Sequence, residues 1–305
     1  MNILAIVVPE LFSEAVNSSL DVSLRIGKVA FDATALVPEI TTCGSKITFP
    51  KFNRISKAQV MTKGVDLVPN DVDMTSSEAV IIQVGNSVRV YDRDAIQIKG
   101  QVIDQFAKQL GETMALSIDE DLAKEMTNNA VYKSPVVAAE TLTYLEIESA
   151  FAPFGDKVDN ALFTNAGFVI NSRLVPSFLQ LKEFTSIENS YGTKGNGVIV
   201  DGVVGYWRGN IPVRVCNIGT WDEDKKECIT FLVKSGSLGV ITQKAATIEE
   251  QREALKQANV IVASEMYAVK LLDEKGVSIL RKTITATANT GDTTDTDTTG
   301  TGDTK

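Results

Sequence analysis

Between residues 94 and 127 apolar side chains return at every fourth position: Ile98, Val102, Phe106, Leu110, Met114 and Ile118, with Ile103 and Thr113 beside the stripe. That period lays them along one face of a helix. Lys99, Asp104, Lys108 and Glu112 occupy the other face. About 30 residues at ~1.5 Å rise make a rod of roughly 45 Å, longer than most globular helices. Gly100 and Gly111 are the positions at which such a rod bends or softens. The acidic run Asp119-Glu120-Asp121 either caps a second helix or closes this one as a solvated terminus, the reading favoured by its charge.

The flanking segments read differently. Residues 1–42 are short apolar pieces with polar spacers, an arm without a core of its own. From Cys43 to Tyr91 the pattern is strand-like. "KITFPKF" has its proline at an edge position, and "AVIIQVGNSVRVYD" reads as two strands turning at Gly85-Asn86. The polar stretch between them is too thin to bury itself, so it is expected to be either disordered or reserved for a partner. A second helix is expected near Ala138–Phe151, then a buried strand in "ALFTNAGFVI" and a short helix entered at Pro176. "ECITFLVKSGSLGVITQ" reads as two strands around Ser235-Gly236-Ser237. Thr247 and Glu250 stand at capping-box spacing for a short helix, and residues 258–282 read as a hairpin turning at Glu274-Lys275-Gly276. Residues 285–305 carry threonine, aspartate and glycine and no large apolar side chain, a composition expected to remain disordered.

The segment "GTKGNGVIVDGVVGYWRGN", with Lys194 among its glycines, invites comparison with a phosphate loop. A phosphate loop needs a helix after the glycine turn. Here β-branched residues and Pro212 follow, so the glycines are read as turns between strands. Other chemistry is equally thin. The 305 residues include no histidine, which removes the commonest general base and metal ligand. Three cysteines, Cys43, Cys216 and Cys228, are far apart and form no CxxC pair, so reduced structural thiols are expected. The formal net charge is −9 and no basic stripe exists, which argues against sequence-reading of duplex nucleic acid. The amino-terminal apolar run has no basic flank and stops at Pro9, and no window is long enough to span a membrane. No cofactor or metal site is expected.

Gly202, Gly205, Gly209, Pro212, Val213 and Val215 resemble the glycine-punctuated strands of tailed-bacteriophage major capsid proteins with the Hong Kong 97-type fold. The likeness continues in order through "FLVKSGSLGVITQKAATIEEQREALKQANVIVASEMYAVKLLDEKGVSIL". "ALVPEITTCGSKITFPKF" is similar to the loop entry of the N4-type coat-protein branch. The resemblance implies an α+β fold with an N-terminal arm (1–42), an extended β-hairpin loop (43–92) and a peripheral domain with a long spine helix (93–150 and 241–284). An axial domain (151–240) and a tail (285–305) complete it. It further implies a coat protein of the virion, assembled in the host cytoplasm as hexamers and pentamers around a separate scaffolding protein. A portal and packaged double-stranded DNA, bound without sequence specificity, are the remaining partners. On this reading Phe49, Pro50, Phe52, Ile55, Val60, Met61, Val65, Leu67 and Val68 of the loop contact a neighbouring subunit, and Gly202, Gly205, Gly209 and Pro212 shape axial-domain turns. Lys57 and Lys63 lie in the loop, but nothing places an asparagine and a carboxylate beside them, so crosslinking is not expected. Two alternatives stand beside it: a cellular nanocompartment shell of the same fold, and an α/β enzyme using carboxylates from Asp119, Asp121, Asp156 or Asp159.

Overall fold

The computed structural model describes residues 9–34, 46–52, 58, 60–61, 74–93, 102–138, 141–156, 159–185 and 202–284. Helix α1 (Pro9–Ser23) and the two-residue strand β1 (Phe31–Asp32) come first. Strands β2 (Lys46–Phe52), β3 (Met74–Val80) and β4 (Ile82–Tyr91) lead into helix α2 (Val102–Asn129) and strand β5 (Tyr132–Ala138). Next come α3 (Tyr144–Ser149), β6 (Gly167–Ile170), α4 (Val175–Gln180), β7 (Val203–Trp207), β8 (Ile211–Val215) and β9 (Trp221–Asp222). The chain closes with β10 (Glu227–Val233), β11 (Leu238–Glu253), β12 (Ala258–Leu271) and β13 (Val277–Thr283).

The fourfold stripe does form α2. Leu110, Met114 and Ile118 are buried, and the row continues through Leu122 and Met126. Ile98 lies outside the described residues. The helix passes through Asp119-Glu120-Asp121 without a break, so these acids neither cap nor end it. Gly111 serves a close approach: a Cβ there would stand 2.7 Å from the Val16 carbonyl oxygen of α1. α1 therefore lies against α2, and Val16, Leu20, Ile26 and Val29 join its core. Residues 9–34 are thus not a segment lacking burial of its own, because the small residue at 111 admits them. Among the described residues no helix is long and apolar enough to cross a membrane.

Two main sheets share α2. The first has the order β1-β11-β12-β4; the second runs β5-β13-β10-β6-β8-β7, with β9 beside β10. β10, "ECITFLV", is buried along its whole length. Ile229, Phe231 and Val233 join the core of α1 and α2, while Cys228 and Leu232 join an aromatic core of Phe151, Phe163, Phe168, Phe178, Phe184 and Trp207. A strand covered on both faces reads as a continuous apolar run rather than an alternation.

Several sequence expectations give way to long-range pairing. β4 runs straight through Gly85 and Asn86, which pair with Ser264 and Ala263, so no turn forms there. Thr247 to Glu250 are strand, not helix, because β11 pairs with β12 as far as Glu253. Only Ala254–Lys256 makes a helical turn, of 3-10 type. β12 and β13 are not a hairpin: they leave the turn at 272–276 for different sheets. The helix expected over Ala138–Phe151 shortens to α3, whose capping box is Thr143 and Glu146, because 132–138 pair with β13. The helix from Val175 divides at Leu181, whose backbone is extended, and resumes at 182–185. The division expected at residues 150 and 240 cuts across the second sheet, since Leu142, Ile147, Ala150 and Leu280 share one core with Phe168 and Val213.

Candidate functional site

β7 and β8 are joined by Arg208 and Gly209, both at positive φ (48° and 78°). The Asn210 amide donates to the Trp207 carbonyl across them at 3.3 Å. Two central residues at positive φ make the hairpin turn whose twist matches its strands. Arg208, the residue without a glycine's freedom, is held by Glu148 and lies over the Phe151 ring. Gly202, at φ 76°, precedes β7 where a Cβ would collide with the Arg25 guanidinium. Gly205 sits at a register irregularity within β7, and Pro212 is paired with Tyr206 in β8. Residues 202–210 of the glycine-rich segment lead into and turn a hairpin on the aromatic core, and strand β8 follows them; residues 192–201, with Lys194, lie outside the described residues.

The candidate acids go to separate tasks. Asp119 is buried and accepts from the backbone amides of Arg25 (2.9 Å) and Gly27 (2.8 Å), so it fastens the chain beyond α1 onto α2. Burial pushes its carboxyl up, against the two donors that pull it down. Asp121 accepts from the Tyr267 hydroxyl at 2.9 Å. Asp156 and Asp159 are exposed, beside the short 3-10 turns after α3. Cys216 and Cys228 are buried, and burial pushes both thiols up to about 11, which leaves them inert at neutral pH. Among the described residues no three cysteines, aspartates or glutamates are grouped for a metal ion.

The loop residues divide by position. The backbone of Phe49, Pro50 and Phe52 lies in β2, opposite Ser77, Ser76 and Met74 of β3. Val60 and Met61 are 95% and 74% exposed. Ile55, Val65, Leu67 and Val68, together with Lys57 and Lys63, fall outside the described residues. A two-stranded hairpin is marginal in water unless its faces are covered. Here Ile47 and Ala79 bury in a small cluster with Ala33, Ile241 and Ala268.

Two further exposed apolar residues were hidden from sequence reading. Leu145 on α3 is 77% exposed, and Leu255 at the β11–β12 tip is fully exposed. Leu145 stands within the helix expected near Ala138–Phe151, and Leu255 within the short helix expected after Thr247 and Glu250. The partly buried ion pair of Lys282 with Glu146 (2.6 Å), tying β13 to the capping box of α3, had no sequence signal at a separation of 136 residues.

A family model described as phage capsid protein matches residues 75–280. A curated relative, the major capsid protein of Staphylococcus phage phiMR11, is 24% identical over 284 residues, covering 90% of this chain and 93% of the relative. Among solved structures, the head of Helicobacter pylori bacteriophage KHP40 is similar with TM-score 0.60 at 12% identity, covering 87% of this chain and 91% of that one. The capsid of Ralstonia phage GP4 gives TM-score 0.60 at 13% identity, over 82% and 87% of the two chains. At such identities the structural likeness is one of fold.

Proposed function

The chain belongs to the phage capsid protein family, with the Hong Kong 97-type α+β fold, and on that premise we propose that it is the major subunit of an icosahedral shell enclosing phage double-stranded DNA. The observation that carries the reading is the exposure of Val60, Met61, Leu145 and Leu255 on a loop, a short helix and a strand tip. Apolar side chains presented at protrusions are stabilised when another surface removes them from water, at about 25 cal/mol per Å². Copies of the same chain supply that surface, as hexamers and pentamers, with the β2–β3 loop reaching a neighbour through Phe49, Pro50, Phe52 and the residues beyond. The net charge of −9 suits a wall that holds DNA without gripping it. A separate scaffolding protein and a portal complete the assembly, which takes place in the host cytoplasm and ends in the virion.

No reaction is assigned to the chain. Asp119 and Asp121 are engaged by backbone amides and a tyrosine on different partners, and the geometry gives them no shared substrate position. Electron microscopy of the expressed chain, alone and with the scaffolding protein, tests the shell. Closed particles or capsomers are the expected result. Dissociated chains under every assembly condition overturn it. Particles that package a cargo enzyme instead of DNA convert it to the nanocompartment reading.

A further inference from the structure

β11 and β12 do not hold one register. They keep step from Leu238 opposite Leu271 to Thr242 opposite Tyr267, and again from Thr247 opposite Ser264 to Glu253 opposite Ala258. Between these stretches Lys244 stands opposite Met266, and β11 takes five residue steps where β12 takes three, so β11 carries two surplus residues, one on each side of that pair, as a bulged segment. Residues 9–34 grip that bulge from both sides. Ser13 Oγ and Asn17 Nδ2 of α1 donate to the Ala246 carbonyl (3.3 and 3.5 Å), and the Thr242 amide donates to Thr34 Oγ1 (3.2 Å). α1 is itself seated on α2 at Gly111.

The bulge leaves two charges without each other. Glu265 of β12 is buried, and its Oε2 has no hydrogen-bond partner. Lys244 of β11 is exposed and makes no ion pair among the described residues. If the bulge were drawn out, the register of Thr242 and Tyr267 would continue as Lys244 opposite Glu265, Ala246 opposite Ala263 and Ile248 opposite Ile261. Because side chains alternate with period two, the slip of two residues keeps Thr247 to Glu253 on their present faces, while Lys244, now opposite Met266, moves by one step and turns onto the face of Glu265. Ile248 stays toward the core it already packs on. Directly opposed residues stand about 5 Å apart at Cβ, near enough for an ammonium and a carboxylate to pair. Beyond Val240, β11 pairs with β12 alone, since β1 reaches only Gly239 and Val240. The slip therefore breaks a single ladder.

We propose that β11 has two registers, the bulged one seen here and an annealed one closed by a Lys244–Glu265 ion pair, and that α1 is the clasp selecting between them. In the annealed register the two surplus residues pass into the tip that carries Leu255. The turn there lengthens by up to ~6 Å of chain. A subunit whose amino-terminal helix is lifted thus presents a different tip from one whose helix is seated.

Cross-strand disulfides read the register in the full-length chain, with Cys216 and Cys228 buried and Cys43, which lies outside the described residues, removed by Cys43→Ser. The pair Thr247→Cys with Ser264→Cys is opposed only in the bulged register. The pair Thr247→Cys with Val262→Cys is opposed only in the annealed one. With α1 seated, the first pair is expected to oxidise quickly and the second slowly. Gly111→Ala, which unseats α1 without lowering helix propensity, is expected to speed the second pair about tenfold, corresponding to about 1.4 kcal/mol of clasp energy. Adding Lys244→Met should return it to the slow rate, and Lys244→Arg should not. If circular dichroism shows that Gly111→Ala does not fold, Ser13→Ala with Asn17→Ala takes its place. A second pair that oxidises no faster after the clasp is loosened, or that ignores Lys244→Met, overturns the proposal. The readout needs no particle, so its failure is separate from failure of the shell reading.

Discussion

At the scale of single residues, Glu265 and Asp119 show how differently two buried carboxyls serve one fold. Glu265 is pushed up to about 7 by burial, from an ordinary carboxyl value near 4.5. Its folded state holds the proton more tightly than the unfolded chain does. Its contribution to stability is therefore full below about 4.5 and is lost as pH rises through 7. Glu265→Gln should match the parent protein at pH 4 and exceed it at pH 8, by up to ~3 kcal/mol. Thermal melts across that range check this, and parallel curves for the two proteins would contradict it. Asp119 is also pushed up by burial, but unlike Glu265 it accepts from two backbone amides that need an acceptor. Asp119→Ala leaves the Arg25 and Gly27 amides without an acceptor and should cost about 2–4 kcal/mol in urea unfolding, with Asp119→Asn recovering roughly half.

At the scale of elements, legibility followed the range of the forces involved. α2 was readable because its stripe, Leu110 to Ile118, is a local pattern that tertiary packing reinforces. The β7–β8 hairpin was readable because glycine admits the positive φ a tight turn needs and proline fixes φ, wherever they stand. Gly209→Ala should accordingly cost about 1–2 kcal/mol, the penalty of a left-handed residue with a Cβ, whereas Ala at a strand position with ordinary φ would not. Equilibrium denaturation separates these outcomes, and an unchanged midpoint for Gly209→Ala would remove the turn assignment. β11 was not readable. "TIEEQREALKQ" has the composition and spacing of a capped helix, and only the ladder to β12, from Thr247 opposite Ser264 to Glu253 opposite Ala258, makes its first seven residues strand. The continuity of β4 through Gly85-Asn86 and the parting of β12 from β13 are long-range facts of the same kind. Of the site, the shape of the glycine hairpin was visible in advance. The exposed Leu145 and Leu255 were not, because a periodic pattern says which residues share a face and not whether that face finds a cover.

At the scale of the whole molecule, a face without a cover is the link between this fold and a shell. Leu145 is 77% exposed on a six-residue helix and contributes little to its own chain's core. Its replacement by glutamate should leave the isolated subunit within ~0.5 kcal/mol of the parent, as surface substitutions away from special features do. The same replacement on a face that copies bury places an unpaired carboxylate against apolar surface, and removal of such a charge from water is strongly unfavourable. Leu145→Glu and Leu255→Glu are therefore expected to give folded, thermally unchanged subunits that form no closed particles under the conditions that assemble the parent chain. Leu→Ala at the same positions should weaken assembly without abolishing it. Melting curves together with electron micrographs decide the matter. Normal particles from both glutamate variants would mean that these two protrusions point into solvent in the finished shell, and that copies meet through other exposed apolar side chains such as Val60, Met61, Val22 or Val131.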